Sequence, residues 1–380
     1  MTTHVFVVDE TTFKLHLKYG FAGTGAGDKT SPFLSSAIAT IHSTVERMLV
    51  GMIADVSKIR IGDKIIFYLQ ASGSRQGMFF GVFKATSKAF FDENDTLNYL
   101  GKELRKGLSF RVLFEPDEVF SLGITEHEYL DSLQNKNHPS QMCWSLIYRK
   151  LKGNRGCTMI TDYEFDDLLN KLKLKNNNTI LSGTDFTFNS MKDCIELSAT
   201  KSKYEGRMSS LDIKQRLLFK ADKGNAFEVH LQAYLMQNFD DVKIKNLLLP
   251  LATQKCWIGN EVSCGVGMQR IDILIKQETE SDIYLKIVEL KCVDPYSEIL
   301  TIQIPWYLEW VNDYMIPNYL SKGKNIHVIP CVIAKGSGNN AFVNECKRAK
   351  YILKQPSVTV YETEYICFNT SKNDIDLLKK

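Results

Sequence analysis

The sequence contains no long apolar run. Nowhere in its 380 residues is there anything close to the roughly 18 to 20 continuous apolar positions that a membrane span needs. It also has no C-x-x-C pair. Cys143, Cys157, Cys194, Cys256, Cys264, Cys292, Cys331, Cys346 and Cys367 are scattered singly, so the closely spaced soft ligands of structural zinc are missing. An odd number of thiols, in a chain whose opening MTTHVFVVDE brings in Asp9 and Glu10 before any apolar signal core, reads as reduced cysteines in a cytoplasmic protein. A marked excess of either charge is missing too. Lys and Arg number 47 against 44 Asp and Glu, a net charge of +3. Total charge therefore does not separate a phosphate-binding enzyme from a metabolic one, and local clusters must decide.

What is present is ordinary for a globular protein: 44% hydrophobic and 24% charged residues, over a length that suits two or three domains. Up to about residue 175 short β-type runs dominate: HVFVV (4–8), DKIIFYLQA (63–71), MFFGVFKAT (78–86) and FRVLFEP (110–116). Helical patterns intervene at 13–18, 32–50 and 161–173, the last opening on a Thr161/Glu164 capping box. Residues 176–210, rich in Asn, Ser, Thr and Lys, read as a connecting segment. From 211 onward helices and strands alternate. Helices are expected over 211–239, 300–320 and 341–354, and strands over 243–251, 270–277, 283–293, 325–334 and 358–368, an α/β order.

Within this second half the chemistry-bearing residues are Glu228, Arg270, Asp272, Glu289, Lys291, Gln303 and Tyr307. Alternation along a strand puts Glu289 and Lys291 on one side, among the apolar Ile287, Val288 and Leu290. Charges beside buried positions need a partner or a metal. Two carboxylates and a lysine suit phosphodiester hydrolysis, in which a hard divalent cation provides the nucleophile and stabilises the leaving oxygen.

This order resembles the PD-(D/E)xK nuclease superfamily, in the Q-x-x-x-Y branch of the RecB-like nucleases and NucS C-terminal domains. The resemblance implies a mixed sheet flanked by helices over 211–380. It implies Mg²⁺, or Mn²⁺ in its place, on Asp272, Glu289, the Leu290 carbonyl and Glu228, with Lys291 as the catalytic lysine and Gln303 and Tyr307 in support. Pro305 departs from a continuous helix, so that helix is expected to begin near Gln303.

HVFVV, IRIGDKIIFYLQ, MFFGVFKATSKAFFD, FRVLFEP and RGCTMITDYEFDDLLNKL resemble, in order, the EVE domain, a PUA-like β-barrel related to YTH readers. That resemblance implies an α+β barrel over 1–175 that recognises a modified base by flipping and stacking it. Tyr68, Phe79, Phe80 and Trp144 are the aromatic candidates for its pocket, and Arg75, Arg149, Lys150 and Arg155 the basic candidates for nucleic-acid contact, although strand aromatics more often belong to a core and basic runs to a solvated face. Gly20–Gly27 lacks the G-K-[ST] of a phosphate loop, and His127-Glu128 lacks the second His of a zinc protease. The combined expectation is a modification-dependent DNA endonuclease of restriction defence, acting on double-stranded DNA as a homodimer. The alternatives are a sequence- or structure-specific nuclease indifferent to modification, and a non-catalytic reader.

Overall fold

The computed structural model describes the chain except residues 26–42, 93–98, 144–155, 201, 211, 225–226, 252–254, 265–268, 337–339, 354 and 372–373. Two compact units result. Among the described residues the first is 1–25, 43–136 and 143–210, and the second is 137–142 and 212–380.

In the first unit the strands are β1 (Thr3–Val8), β2 (Phe21–Thr24), β3 (Lys64–Leu69), β4 (Met78–Ala85), β5 (Phe90–Phe91), β6 (Phe110–Pro116), β7 (Ile124–Thr125) and β8 (Cys157–Ile160). They pair in the order β2-β6-β4-β3-β1-β8, with β5 on β6 and β7 on β4. β1 and β3 run parallel and the other pairs antiparallel, a mixed sheet that hydrogen bonds do not close into a barrel among the described residues. The central strands are apolar almost continuously because both faces are buried. Val5, Ile66 and Phe79 pack with Phe120, Ile124, Ile160, Leu168 and Leu172 on one face. Their chain neighbours Phe6, Phe67 and Phe80 are buried in an aromatic stack, in which Phe13 lies 5.4 Å from Phe67, 5.3 Å from Phe80 and 5.3 Å from Phe188 between ring centroids. Each such ring contributes about 1.5–3 kcal/mol through burial.

Helix α1 (Glu10–Tyr19) supplies Phe13 and His16 to that stack. It starts on an Asp9/Thr12 capping box and stops at Gly20, whose φ of 65° is the left-handed conformation that a side chain resists. Helices α2 (Ser43–Ser57), α3 (Gly101–Leu104) and α4 (Glu126–Asp131) precede α5 (Asp162–Lys175), which begins on the expected Thr161/Glu164 capping box. The segment 176–210 departs from the expected connector. It contains the hairpin β9 (Phe186–Asn189) and β10 (Cys194–Leu197), whose Phe186 and Phe188 insert into the aromatic stack. This stretch belongs to the first unit, and its surface-rich composition conceals two short buried strands.

The second unit is built on a mixed sheet of β11 (Cys256–Ser263), β12 (Arg270–Glu278), β13 (Asp282–Lys291), β14 (Asn325–Lys335), β15 (Val358–Val360), β16 (Glu364–Thr370) and β17 (Ile375–Lys379). The order is β11-β12-β13-β14-β16-β17, with β15 also on β14. β13 is central, antiparallel to β12 and parallel to β14. Its Ile283, Leu285, Ile287, Val288 and Leu290 are buried, as a strand covered on both faces requires. The helices are α6 (Lys214–Asp222), α7 (Glu228–Gln237), α8 (Val242–Leu248), α9 (Ile304–Tyr314), α10 (Ile316–Leu320) and α11 (Asn340–Arg348).

Residues 243–251, expected as a strand, begin as helix α8. Asp241 caps it by accepting from the amides of Lys243 (2.8 Å) and Ile244 (3.4 Å). Beyond it the Gln277 amide takes the place of a strand partner, donating to Leu251 O at 2.6 Å and accepting from Leu251 N at 2.8 Å. The expected helix over 300–320 is interrupted. A wide π turn over Ile299–Gln303 leads into α9, and Pro305 falls in the first turn of α9, where a missing N–H costs nothing.

Candidate active site

The site lies where β12 and β13 face α7 and α9. Ile273 pairs with Val288, so the next residues outward are Asp272 on β12 and Glu289 on β13. Asp272 is held by the backbone of the neighbouring strand: Leu290 N–H donates to its Oδ2 at 2.7 Å. Glu289 is buried and has a partner on each oxygen. The Tyr307 hydroxyl of α9 donates to Oε2 at 2.9 Å, and the Lys291 ammonium pairs with Oε1. Glu228, the first residue of α7, accepts from the Cys292 amide at 3.3 Å, just past the end of β13. One helical turn on, Gln232 donates to the Asp272 carbonyl at 2.8 Å and accepts from Asn260 at 3.4 Å. Arg270 pairs with Glu261 beside this cluster.

The electrostatics are those of crowded acids around one cation. Burial, then the negative charges of Glu289 and Glu261, hold the Asp272 carboxyl well above the usual carboxylate range. Burial likewise pushes Glu289 up, against the pull of Lys291 and Tyr307. Burial works against the charge of Lys291, yet Glu289, Asp272 and Glu228 together raise it above its ordinary value, so it stays an ammonium. The Tyr307 hydroxyl is pushed up by burial and by Glu289, and stays a donor. Cys264 at the edge of the site is pushed up to about 12 by burial and then by Glu289, and stays a neutral thiol.

Asp272, Glu289, Lys291, Glu228 and Tyr307 therefore lie together in one cluster. Gln303 ends the π turn with its amide oxygen buried and without a hydrogen-bond partner among the described residues. Sequence reasoning missed Gln232, Glu261 and Cys264. The i, i+4 spacing of Glu228 and Gln232 on one helix could have revealed the first of these.

Among the described residues no three His, Cys, Asp or Glu side chains form a ready-made cation cage. The donor chemistry still fits a hard divalent ion. Mg²⁺ is commonly held by one or two carboxylates plus substrate phosphate oxygens, and two carboxylates disfavoured as anions by burial gain most from a cation.

The nucleic-acid candidates of the first unit look different in place. Phe79 and Phe80, adjacent on β4, point into its two cores and are 5% and 0% exposed, so neither is free to wall a pocket. Tyr68 is half-buried against Phe79, with its hydroxyl on Glu126 at 2.5 Å. Arg75, expected as a phosphate contact, is already engaged: Glu10 accepts from it at 2.7 Å, Asp193 lies 3.9 Å away, and it covers the Phe188 ring. Trp144, Arg149, Lys150 and Arg155 lie outside the described residues.

No family model and no curated protein matches the chain. Solved structures are similar over just under half of it. Human THYN1 protein, in complex with DNA containing 5-methylcytosine, is 11% identical, with 46% of this chain and 98% of that one covered and a TM-score of 0.27. A hypothetical protein from Leishmania major is 11% identical, covering 46% and 96%, with a TM-score of 0.30. Rpa0253 from Rhodopseudomonas palustris is 13% identical, covering 46% and 94%, with a TM-score of 0.26. No helix among the described residues is long and apolar enough to cross a membrane.

Proposed function

We propose that the second unit is a divalent-cation-dependent DNA endonuclease and that the first unit recruits it to DNA carrying a modified base. The observation that carries the nuclease reading is the buried Glu289, gripped by Tyr307 and Lys291 beside Asp272. Asp272, Glu289 and the Leu290 carbonyl would hold Mg²⁺ or Mn²⁺, with Glu228 at the margin, toward the Cys292 amide. When bound, such an ion supplies Lewis acidity toward the phosphate and a nucleophile at neutral pH.

The chain's own residues do the rest. Tyr307 fixes the Glu289 carboxylate by donating to Oε2, which leaves the other oxygen to Lys291. The Leu290 amide fixes Asp272 in the same way. Lys291 carries positive charge into a pocket of acids, where it offsets charge accumulating on a phosphate oxygen and orients a water for attack. Gln232 and Asn260 tie α7 to the Asp272 backbone and keep the carboxylate from drifting. The reader role rests on the EVE-like order of β-runs in the first half of the sequence.

The test compares cleavage of one DNA duplex with and without modified cytosine, in Mg²⁺ or Mn²⁺, using Asp272→Ala as the control. Cutting of the modified duplex alone, abolished by the substitution, is expected. Equal cutting of both duplexes removes the reader role and leaves a nuclease indifferent to modification, a reading favoured by the engaged Arg75 and the buried Phe79 and Phe80. Activity that persists in Asp272→Ala overturns the site.

A further inference from the structure

Beside Tyr307 stands Trp306, 43% exposed, with its ring N–H donating to the Cys264 carbonyl at 3.0 Å. Indole has only this donor and no acceptor, so its polar requirement is met from inside and what remains outward is apolar π surface. Cys264 is fully buried, and its thiol feels the charges of Glu289 and Asp272. The ring is therefore fixed between its α9 neighbour Tyr307, which bonds Glu289, and the end of β11, whose partner strand β12 carries Asp272. Ile302, one turn earlier on the same stretch of chain, is 59% exposed and adds further apolar surface.

From this placement we infer that Trp306 is a stacking platform for an unpaired nucleobase next to the bond that is cut. A base inside a duplex has both faces covered by its neighbours, so it can lie on an indole only once it has left the stack. The substrate class is thus DNA that is single-stranded, or locally opened, at the cleavage position. The location of this subsite rests on the nuclease reading above, because a divalent cation held by the carboxylates would bring the sugar–phosphate backbone to this point. A flat aromatic face binds any base and cannot bind a backbone that carries none.

The experiment uses full-length protein with Ca²⁺ in place of Mg²⁺, so that the carboxylates carry a cation while binding is read apart from Mg²⁺-dependent cleavage. The probes are a deoxythymidine decamer and an equally long decamer of abasic tetrahydrofuran sites. Wild type is expected to prefer the base-carrying strand by about 5- to 100-fold. Trp306→Ala and Trp306→Leu should bind both probes alike. Trp306→Phe, which loses the Cys264 hydrogen bond but keeps a ring, should retain most of the preference. Unaltered preference in the Ala and Leu variants overturns the subsite, as does equal loss in Phe, which would assign the effect to the hydrogen bond. A change in sedimentation of the Trp306 variants with no change in preference also overturns it and assigns the ring to contact with a second copy. Failure of the wild type to cut DNA in Mg²⁺, with the preference intact, removes the nuclease reading and leaves the base platform standing.

Discussion

The Tyr307 hydroxyl reaches Oε2 of Glu289 across 2.9 Å, joining the first full turn of α9 to the central strand of the sheet. Both residues are buried. Tyr307→Phe leaves that oxygen short of a donor at little change in volume. The expected result is a loss of about 1–3 kcal/mol of stability. A fall of about 10- to 100-fold in cleavage or divalent-ion affinity should accompany it, as for other groups that orient a ligand through a hydrogen bond. Thermal denaturation and calorimetric Mn²⁺ titration check the two effects separately.

Asp272→Asn should separate stability from activity. The folded-state values of Asp272 and Glu289 are raised by burial, so without a cation the folded form binds protons more tightly than the unfolded chain. That stability is fully present below the unfolded carboxylate value and is lost as pH rises through the raised folded values. Asn removes one of the two charges and still accepts from the Leu290 amide. The cation-free variant should therefore melt higher than wild type near neutral pH, by on the order of 2–4 °C for each kcal/mol gained, and should cut nothing. A melting temperature below that of wild type across this range would refute the carboxylate repulsion.

On the opposite side of β13 from Glu289 and Lys291, the buried Lys286 donates to Glu364 Oε2 at 2.6 Å and to Leu247 O at 2.7 Å. Burial works against the Glu364 charge, but Lys286 and Lys379 outweigh it and hold the carboxyl below its usual range. The stability it contributes is present above the unfolded carboxylate value and is lost as pH falls through the lowered one. Breaking a buried pair typically costs about 3–5 kcal/mol. Lys286→Met is expected at the low end of that range, because Lys379 still holds Glu364. Urea denaturation at neutral and at acid pH should show the gap between variant and wild type closing in acid.

In the first unit, His16 is fully buried against Phe21 and Phe67, and neither ring nitrogen has a hydrogen-bond partner among the described residues. Burial, with help from Arg111, takes its value down to about 3. Below the ordinary histidine value of about 6.5 the unfolded chain takes up a proton that the folded one refuses, so stability drops progressively from there toward pH 3. His16→Phe should flatten this acid limb while leaving stability near neutral pH equal or higher. An unchanged acid limb in the variant would show that other groups set it.

Much of the candidate site's arrangement is legible in the sequence because its signals are local. The E-x-K alternation on β13, the carboxylate at the start of a helix and the four-residue step from Gln303 to Tyr307 each depend on a single element's period. What was hidden depends on contacts between distant segments. Nothing adjacent to Arg75 announces Glu10, 65 positions earlier, as its partner. Cys264 and Glu261 enter the site only because β11 pairs with β12. The two-faced burial of β4 turned Phe79 and Phe80 from pocket candidates into core, a distinction that alternation alone does not make when both faces are covered. Residues 243–248 look like a strand by composition, and the Asp241 cap decides for a helix.

The π turn at Ile299–Gln303 makes the site sensitive to chain length rather than to side-chain identity. One residue more than an α-helical turn has been wound in ahead of Pro305, and everything downstream is phased by it. Removing a single exposed residue there, such as Thr301 or Ile302, would rotate α9 by about 100° relative to the sheet. Tyr307 would swing off Glu289 and Trp306 off the Cys264 carbonyl in one motion, although no atom of either residue had been altered. Insertions and deletions in this short stretch should therefore inactivate the protein far more readily than substitutions.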